Sequence, residues 1–278
     1  MKTMIDKQKD RFILNNDLKM PSIGLGVLFA KNDGEVENAI VTALKNGYRK
    51  IDTASGYGNE EGVGKGIMNS GIERSEIFLT TKVWNTEQGY DKTLLSFESS
   101  LKRLQTDYID LYLIHWPVKH KYKETYKALE RLYAEGRAKA IGVCNFSTQQ
   151  LEDLMQHAQI IPALNQVEMH PHLSQNELLK FCQAHKIQLE AWRPIMMGEV
   201  LNIPELIEIG KSHAKSAVQI ALRWLIQRGV AAVPKSVTPR RIIENFDVYD
   251  FELSKRQIEI IESLNQNRRL GEDLSHIT

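Results

Sequence analysis

Short apolar segments rich in β-branched residues alternate with helix-period segments along most of this 278-residue chain. Such alternation is typical of a parallel β-sheet whose faces are covered by helices. Eight strand segments without a compositional break favour a closed (β/α)8 TIM barrel over an open doubly wound sheet. The pattern therefore predicts a single α/β domain, residues 1–278, with strands at 22–26, 48–51, 77–81, 109–114, 138–143, 163–167, 187–192 and 230–233.

Helices are expected between these strands, and a hairpin before them. Residues 11–20, RFILNNDLKM, form two short runs around an Asn-Asn-Asp turn, which predicts a β-hairpin that closes the amino-terminal mouth of the barrel. The longest insertion, residues 194–215, follows the seventh strand on the opposite face. The helix-period segments are 35–46, 59–69, 91–104, 122–135, 148–157, 175–185 and 216–228.

Composition argues against several classes of protein. With 36 Lys plus Arg against 35 Asp plus Glu, the net charge of +1 leaves no electrostatic footprint for nucleic acid. Cys144 and Cys182 cannot form a disulfide framework, and the first twenty residues lack the apolar core of a signal peptide. No apolar run reaches the roughly 18 residues of a membrane helix. We therefore expect a cytoplasmic protein that binds neither nucleic acid nor membrane.

Ionisable side chains stand where four of the predicted strands give way to loops. Asp52 follows the second strand, Lys82 the third, His115 the fourth and Lys235 the eighth. Because parallel α/β sheets bind their ligands at the carboxyl ends of the strands, these side chains predict one site built from distant segments. Tyr57 lies five residues beyond Asp52 in a loop flanked by glycines, from which its phenol can turn towards the barrel axis.

Tyr57, Lys82, Asp52 and His115 have the chemistry of a proton donor and its supports. A free phenol has a pKa of about 10, and an ammonium roughly 4 Å away is worth up to about 4 kcal/mol, or nearly three pKa units. Lys82 is placed to lower the pKa of Tyr57 in this way, and Asp52 would keep Lys82 charged. His115 can hydrogen-bond a substrate oxygen. Each residue alone has an ordinary structural interpretation, such as a buried ion pair, but four at one face favour catalysis.

The segment after the eighth strand, PKSVTPRRIIEN, predicts a phosphate site. Backbone N–H groups at a helix start and nearby cations favour anions, although a solvated basic loop is the alternative interpretation. The GVGKG of residues 62–66 matches neither the GxGxxG motif nor a P-loop, so a dinucleotide would have to be bound elsewhere. The candidate phosphate ligands are Lys235, Ser236, Thr238 and Arg241.

Six motifs in order resemble the aldo-keto reductases over residues 11–271: IDTASGYGNE, LTTKVW, DLYLIHWP, GVCNFS, NQVEMHP and VPKSVTPRRIIENF. The resemblance implies a monomeric (α/β)8 barrel that reduces the aldehyde or ketone group of small molecules with NADPH. It implies Tyr57 as the proton donor and His115 as the residue that orients the carbonyl. Lys82 and Asp52 would be the pair that tunes Tyr57.

The resemblance also implies how NADPH is held. Asn145 and Gln166 match residues that hold the carboxamide, and Trp192 matches the aromatic residue that stacks on the nicotinamide. The phosphate ligands named above would grip the 2′-phosphate, which selects NADPH over NADH. Glu244 and Asn245 match positions that bind the adenine. The expected substrate pocket is lined by Leu28, Trp84 and Trp116, whose alternative interpretation is ordinary core packing.

Several positions depart from the family pattern. Cys144 stands where a Ser is usual, so one carboxamide contact is absent. Arg193 stands where a Ser usually follows the stacking aromatic, and we hypothesise that its guanidinium pairs with the pyrophosphate. Residues 27–29, Val-Leu-Phe, make the pocket edge more apolar. The short carboxyl-terminal tail suggests an open pocket and broad substrates, as in the bacterial reductases of diketo-gluconate, methylglyoxal and general aldehydes.

Two other classes of function remain as alternatives. Glu168, His170 and His172 alternate in EMHPH and would share one face of a strand, as in a zinc-dependent hydrolase. No further ligand-type residue ends another strand with them, so we expect no metal site. The second alternative is a non-catalytic barrel that senses NADPH. The complete set of four candidate catalytic residues argues against it.

Overall fold

The computed structural model describes residues 11–274 and 276–277, and it begins with the expected hairpin. Strands β1 (Arg11–Ile13) and β2 (Lys19–Pro21) pair antiparallel. The Asn15 and Asn16 amides of the turn donate to backbone carbonyls at Pro162 and Lys139, just ahead of two barrel strands. These hydrogen bonds fix the hairpin across the amino-terminal mouth of the barrel, as predicted.

Eight parallel strands form the sheet, in the order of the chain. The first and last strands are joined by parallel bridges between Ile23 and Ala232 and between Gly26 and Lys235, which close the barrel. The predicted TIM barrel is confirmed. The strands are β3 (Leu25–Gly26), β4 (Lys50–Asp52), β5 (Phe78–Val83), β6 (Leu111–Ile114), β7 (Ile141–Cys144), β8 (Leu164–Glu168), β9 (Gln188–Trp192) and β10 (Ala231–Ala232).

Helices surround the barrel, and two of them, at residues 204–213 and 255–263, lie outside the segments predicted to be helical. A third, at residues 239–246, lies in the segment after the eighth strand where a helix start was expected. The helices are α1 (Glu35–Lys45), α2 (Glu60–Ser70), α3 (Tyr90–Leu104), α4 (Tyr122–Ala134), α5 (Thr148–Met155), α6 (Asn176–Ala184), α7 (Pro204–His213), α8 (Ala217–Gln227), α9 (Pro239–Phe246) and α10 (Lys255–Ser263).

Local signals account for the two helices outside the predicted segments, α7 and α10. Pro204 occupies the first turn of α7, where its fixed φ suits a helix and its missing N–H costs nothing. Ser254 and Gln257 form a capping box at the start of α10, with each side chain bonded to the other residue's backbone N–H. Both signals are visible in the sequence.

The barrel interior is apolar near the hairpin and polar near the opposite mouth. Along β6, Leu111 and Leu113 point inward with Met20 of the hairpin, whereas Tyr112 and Ile114 pack against the helices. This alternation follows from the two-residue period of a strand. Inward positions nearer the carboxyl-terminal mouth hold the buried polar side chains of Asp52, Lys82, Gln166 and Glu190, and the Lys50 side chain joins them from the hairpin side, where its ammonium contacts Met20.

Cys144 and Cys182 are both buried, and neither forms a disulfide. Among the helices of the described residues, none combines the length and the apolar character needed to span a membrane.

Candidate active site

The four candidate catalytic residues meet at the carboxyl-terminal mouth of the barrel. Asp52 ends β4, Lys82 is the last residue but one of β5, and His115 directly follows β6. Tyr57 closes a short 3-10 turn after β4. Its ring lies 5.5 Å from the His115 ring in an edge-on arrangement and 5.1 Å from the Lys82 ammonium. The structure therefore brings together side chains that are up to 63 positions apart, since the set runs from residue 52 to residue 115.

Lys82 is held as a cation by its partners. Its ammonium donates to Asp52 Oδ1 at 2.6 Å and to the Thr53 carbonyl at 2.8 Å, and both ions are buried. Burial alone would lower the pKa of Lys82, but the Asp52 carboxylate raises it above its ordinary value. Lys82 is therefore charged at neutral pH.

The pKa of Tyr57 differs from the expectation. Burial raises the pKa of Tyr57 to about 12, although Lys82 acts in the opposite direction. The attraction of the ammonium for the phenolate is smaller than the cost of removing that phenolate from water, and burial therefore determines the direction of the shift in pKa. The phenol is therefore fully protonated at neutral pH.

His115 is neutral at neutral pH. Burial lowers its pKa well below the ordinary value, and Lys82 adds to the effect. Among the described residues, no hydrogen-bond partner is found for its buried Nδ1. A neutral imidazole offers one donor and one acceptor, which suits an uncharged polar ligand such as a carbonyl group.

Trp84 forms one wall of the site. Its ring lies 4.9 Å from the His115 ring, edge-on. A Cβ at Gly56 would lie 2.8 Å from the Trp84 ring, so this close approach requires glycine there. Trp116 and Leu28, the other expected pocket residues, are half-buried in the loops after β6 and β3.

The expected carboxamide ligands are already bonded to the protein. The Asn145 amide donates to the His115 carbonyl at 2.9 Å and accepts from the Trp192 indole N–H at 2.8 Å. Gln166 lies deeper, where its amide nitrogen donates to Asp52 and to Glu190. Asn145 and Trp192 therefore lie at the mouth, whereas Gln166 supports Asp52 from inside the barrel.

The predicted phosphate site lies between β10 and α9. Lys235, Thr238 and Arg241 are exposed, and the Ser236 hydroxyl accepts from the Thr238 N–H at 3.2 Å. Within the described ranges, no acidic side chain forms an ion pair with Lys235 or Arg241, and both cations are free to meet an anion. Of the two expected adenine ligands beyond them, Glu244 is half-buried and Asn245 is buried.

The tail, residues 264–274, crosses the mouth of the barrel instead of leaving it open. Its Leu270 and Gly271 N–H groups donate to the Glu168 carboxylate at 2.6 and 3.2 Å. The Leu274 carbonyl accepts from Asn85 beyond β5, at 2.6 Å. A Cβ at Gly271 would clash with the Trp192 ring. The length of the tail suggested an open pocket, and no sequence motif marks this course across the mouth.

The tail also forms a hydrogen bond with Arg193. The Arg193 guanidinium donates to the Leu270 carbonyl and lies 5.5 Å from the centre of the Trp192 ring. One of the five guanidinium N–H donors is therefore bonded to the tail. Arg193 is close enough to the site to contact a ligand stacked on Trp192.

The residues of the metal alternative have other partners. Glu168 binds the tail and accepts from His170 Nε2 at 3.0 Å. Over residues 11–274 and 276–277, no cluster of three or more His, Cys, Asp or Glu side chains suits a metal ion. His170 and Glu168 instead connect β8 to the tail.

Comparison with known proteins establishes the family. The model of the aldo/keto reductase family matches residues 22–266, so the chain belongs to that family.

Homologous proteins align with almost the whole chain. Glyoxal reductase of Bacillus subtilis is 52% identical over 263 residues, which cover 95% of each protein. Methylglyoxal reductase DkgA of Escherichia coli is 45% identical over 258 residues, covering 91% of this chain and 93% of the relative. An aldo-keto reductase of Bombyx mori, crystallised with NADP, superimposes with a TM-score of 0.90 at 35% identity and covers 94% of each chain.

Proposed function

We propose that this protein reduces aldehydes and ketones to alcohols, with a hydride from NADPH and a proton from Tyr57. The observation that carries the proposal is the buried Lys82–Asp52 pair beside the Tyr57 phenol and the neutral His115. NADPH, when bound, supplies the hydride that the carbonyl carbon receives. The glyoxal and methylglyoxal reductases among the relatives favour small aldehydes and dicarbonyl compounds as substrates.

Each residue of the site has a defined part in the reaction. His115 donates a hydrogen bond to the carbonyl oxygen and so fixes the carbonyl beside the Tyr57 hydroxyl. As negative charge develops on that oxygen, Tyr57 transfers its proton to it, and the alcohol is complete. Lys82 stabilises the phenolate that remains. Asp52 keeps the buried Lys82 ammonium charged and fixed in position.

The residues around the mouth fit the cofactor. Trp192 is a half-buried aromatic surface beside Asn145, and Lys235 and Arg241 are exposed cations at the start of a helix. These features suit a nicotinamide ring and a phosphate group, respectively. We propose that Lys235, Ser236, Thr238 and Arg241 bind the 2′-phosphate, with Glu244 and Asn245 near the adenine.

A steady-state assay tests the proposed function. The purified protein is mixed with NADPH and a panel of glyoxal, methylglyoxal and aromatic aldehydes, and the loss of absorbance of NADPH is followed. Turnover of at least one carbonyl substrate is the expected result. Tight binding of NADPH with no turnover of any substrate would favour the NADPH sensor instead.

The proposed phosphate site predicts a selective loss of affinity for NADPH. Lys235→Ala and Arg241→Ala are each expected to raise the Kd of NADPH by about tenfold or more, since a charge-assisted hydrogen bond contributes about 1.5–3 kcal/mol. The Kd of NADH should change little, because NADH lacks the 2′-phosphate. Quenching of protein fluorescence measures both constants. Lys255→Ala, an exposed lysine at the start of α10, is the control, and equal losses for both cofactors would contradict the assignment.

Arg193 is proposed to contact the pyrophosphate while it also holds the tail. Arg193→Ser is expected to raise the Kd of NADPH by about tenfold, because it removes a charge-assisted pair. In the cofactor-free protein, the same change should speed hydrogen exchange at Leu270 and Gly271, whose segment loses one anchor. Arg131→Ser, on the exposed face of α4, is the control. Unchanged affinity for NADPH would remove the pyrophosphate contact.

A further inference from the structure

A second buried ion pair lies below the catalytic residues. The Lys50 ammonium is bonded to the Glu190 carboxylate, and both side chains are fully buried inside the barrel. Lys50 belongs to β4 and Glu190 to β9, which are not neighbours in the sheet. Neither residue has a part in the reaction proposed above. A charged pair in this position is costly to desolvate, so its role needs an explanation.

Gln166 connects this pair to the active site. Its Nε2 donates to Asp52 Oδ2 at 2.7 Å and to Glu190 Oε2 at 2.8 Å. A primary amide nitrogen carries two N–H groups, so both donors of Gln166 are used. Only the nitrogen end of the amide can face two carboxylates, because its oxygen would have no donor to meet there. Asp52 and Glu190 together therefore fix the orientation of Gln166.

The arrangement balances charge as well as hydrogen bonds. Asp52 is paired with Lys82 on one side of Gln166, and Glu190 is paired with Lys50 on the other. Two carboxylates that share one amide would repel each other strongly in the barrel interior. An ammonium on each carboxylate removes this repulsion. Lys50 is thus required for Glu190 to hold Gln166 without disturbing Asp52.

The barrel is built to admit the Lys50 side chain. A Cβ at Gly24 would lie 2.8 Å from Lys50 Cγ, so the stem of the lysine occupies space that only glycine leaves open. The ammonium also donates to Met20 Sδ of the hairpin at 3.0 Å and lies 5.6 Å from the centre of the Phe78 ring. These contacts fix the conformation in which the Lys50 side chain extends from β4 to Glu190.

We propose that Lys50 and Glu190 are positioning residues for carbonyl reduction. This proposal rests on the function proposed above. Glu190 holds the Gln166 amide, Gln166 holds Asp52, and Asp52 keeps the Lys82 ammonium beside the Tyr57 phenol. Lys50 neutralises Glu190. The pair never touches the substrate or the cofactor. Its effect on the reaction is transmitted entirely through the Gln166 side chain.

Two double variants separate positioning from packing. Lys50→Met with Glu190→Leu removes both charges and the oxygen that accepts from Gln166. Lys50→Met with Glu190→Gln removes the same charges but leaves an amide oxygen that can accept the Gln166 N–H. Replacement of a whole buried pair by apolar residues is often neutral or stabilising, so the leucine variant should fold. The glutamine variant keeps a side chain of the size of Glu190 and should also fold. Thermal unfolding checks that they do.

The leucine variant is expected to lower kcat by about tenfold to a hundredfold, since a small misplacement of catalytic groups has an effect of that size. Its Kd for NADPH should stay near that of the wild type. In the reverse reaction, alcohol oxidation, the apparent pKa of the Tyr57 base should rise, because the Lys82 ammonium is no longer held in place. The glutamine variant should restore kcat to within about threefold of the wild type, since an acceptor for Gln166 remains.

Several results would overturn the proposal. A folded leucine variant with the kcat and pH profile of the wild type would show that the pair positions nothing. Equal losses of kcat in both variants, in proportion to a lower unfolding temperature, would assign the pair to stability alone. If neither double variant folds, Gln166→Met breaks the link with both ion pairs intact, and an unchanged pH profile there rejects the proposal. Absence of turnover in the wild type would instead reject the proposed function.

Discussion

Tyr57→Phe is expected to lower kcat for carbonyl reduction by about 10²–10⁴-fold, the usual contribution of a positioned proton donor. The change removes one oxygen atom and keeps the ring that packs against His115 at 5.5 Å. Binding of NADPH should therefore be unaffected. Single-turnover measurements with saturating NADPH isolate the chemical step, and a fluorescence titration gives the Kd of the cofactor.

Tyr133→Phe is the matched control for this change. Tyr133 is a half-buried tyrosine of α4 that lies outside the site, and its variant should keep wild-type kcat. If Tyr57→Phe retained the rate of the wild type, the proton would have to come from another group. A loss shared with Tyr133→Phe would indicate damage to the fold rather than to the chemistry.

Lys82→Met is expected to reduce both stability and activity. Its loss leaves the buried Asp52 carboxylate without its cation, and removal of one partner of a buried pair typically costs about 3–5 kcal/mol in the free energy of unfolding. The kcat should fall because the phenolate form of Tyr57 loses its main stabilising charge. Urea unfolding measures the first effect, and steady-state kinetics at a temperature where the variant is folded measures the second.

A double variant separates the two effects of Lys82. Asp52→Asn combined with Lys82→Met removes both charges, so most of the lost stability should return while kcat remains low. Lys123→Met is the control, because Lys123 and Asp153 form a half-exposed pair at 2.8 Å that should contribute less than about 1 kcal/mol. Recovery of activity in the double variant would contradict the role given to the ammonium.

Much of the fold followed from the periodicity of the chain. The eight strands and the hairpin were predictable because buried parallel strands are short apolar runs that helices must separate. The residues at strand ends were predictable for a related reason, since a parallel sheet gathers the carboxyl ends of its strands at one mouth. Asp52, Lys82 and His115 therefore met as the sequence indicated.

Other features depend on tertiary packing and left weak signals. The pKa of Tyr57 depends on how much water the folded site excludes, which local sequence does not reveal. Lys50 and Glu190 lie within strand segments that are otherwise mostly apolar, and their pairing is not apparent from the sequence. A charge at an inward-facing strand position is nevertheless unusual. The course of the tail depends on Glu168, more than a hundred residues upstream of Leu270.

The hairpin covers the end of the barrel opposite to the catalytic residues, yet one of its atoms contacts a buried charge inside the barrel. Met20 Sδ accepts from Lys50, and Met20 itself has no exposed surface. A loosened hairpin would open a route for solvent to the innermost cation. Hydration of Lys50 would weaken its pairing with Glu190, and with it the hydrogen bonds through Gln166 to Asp52. The packing of the hairpin therefore affects the catalytic residues at the other end of the barrel.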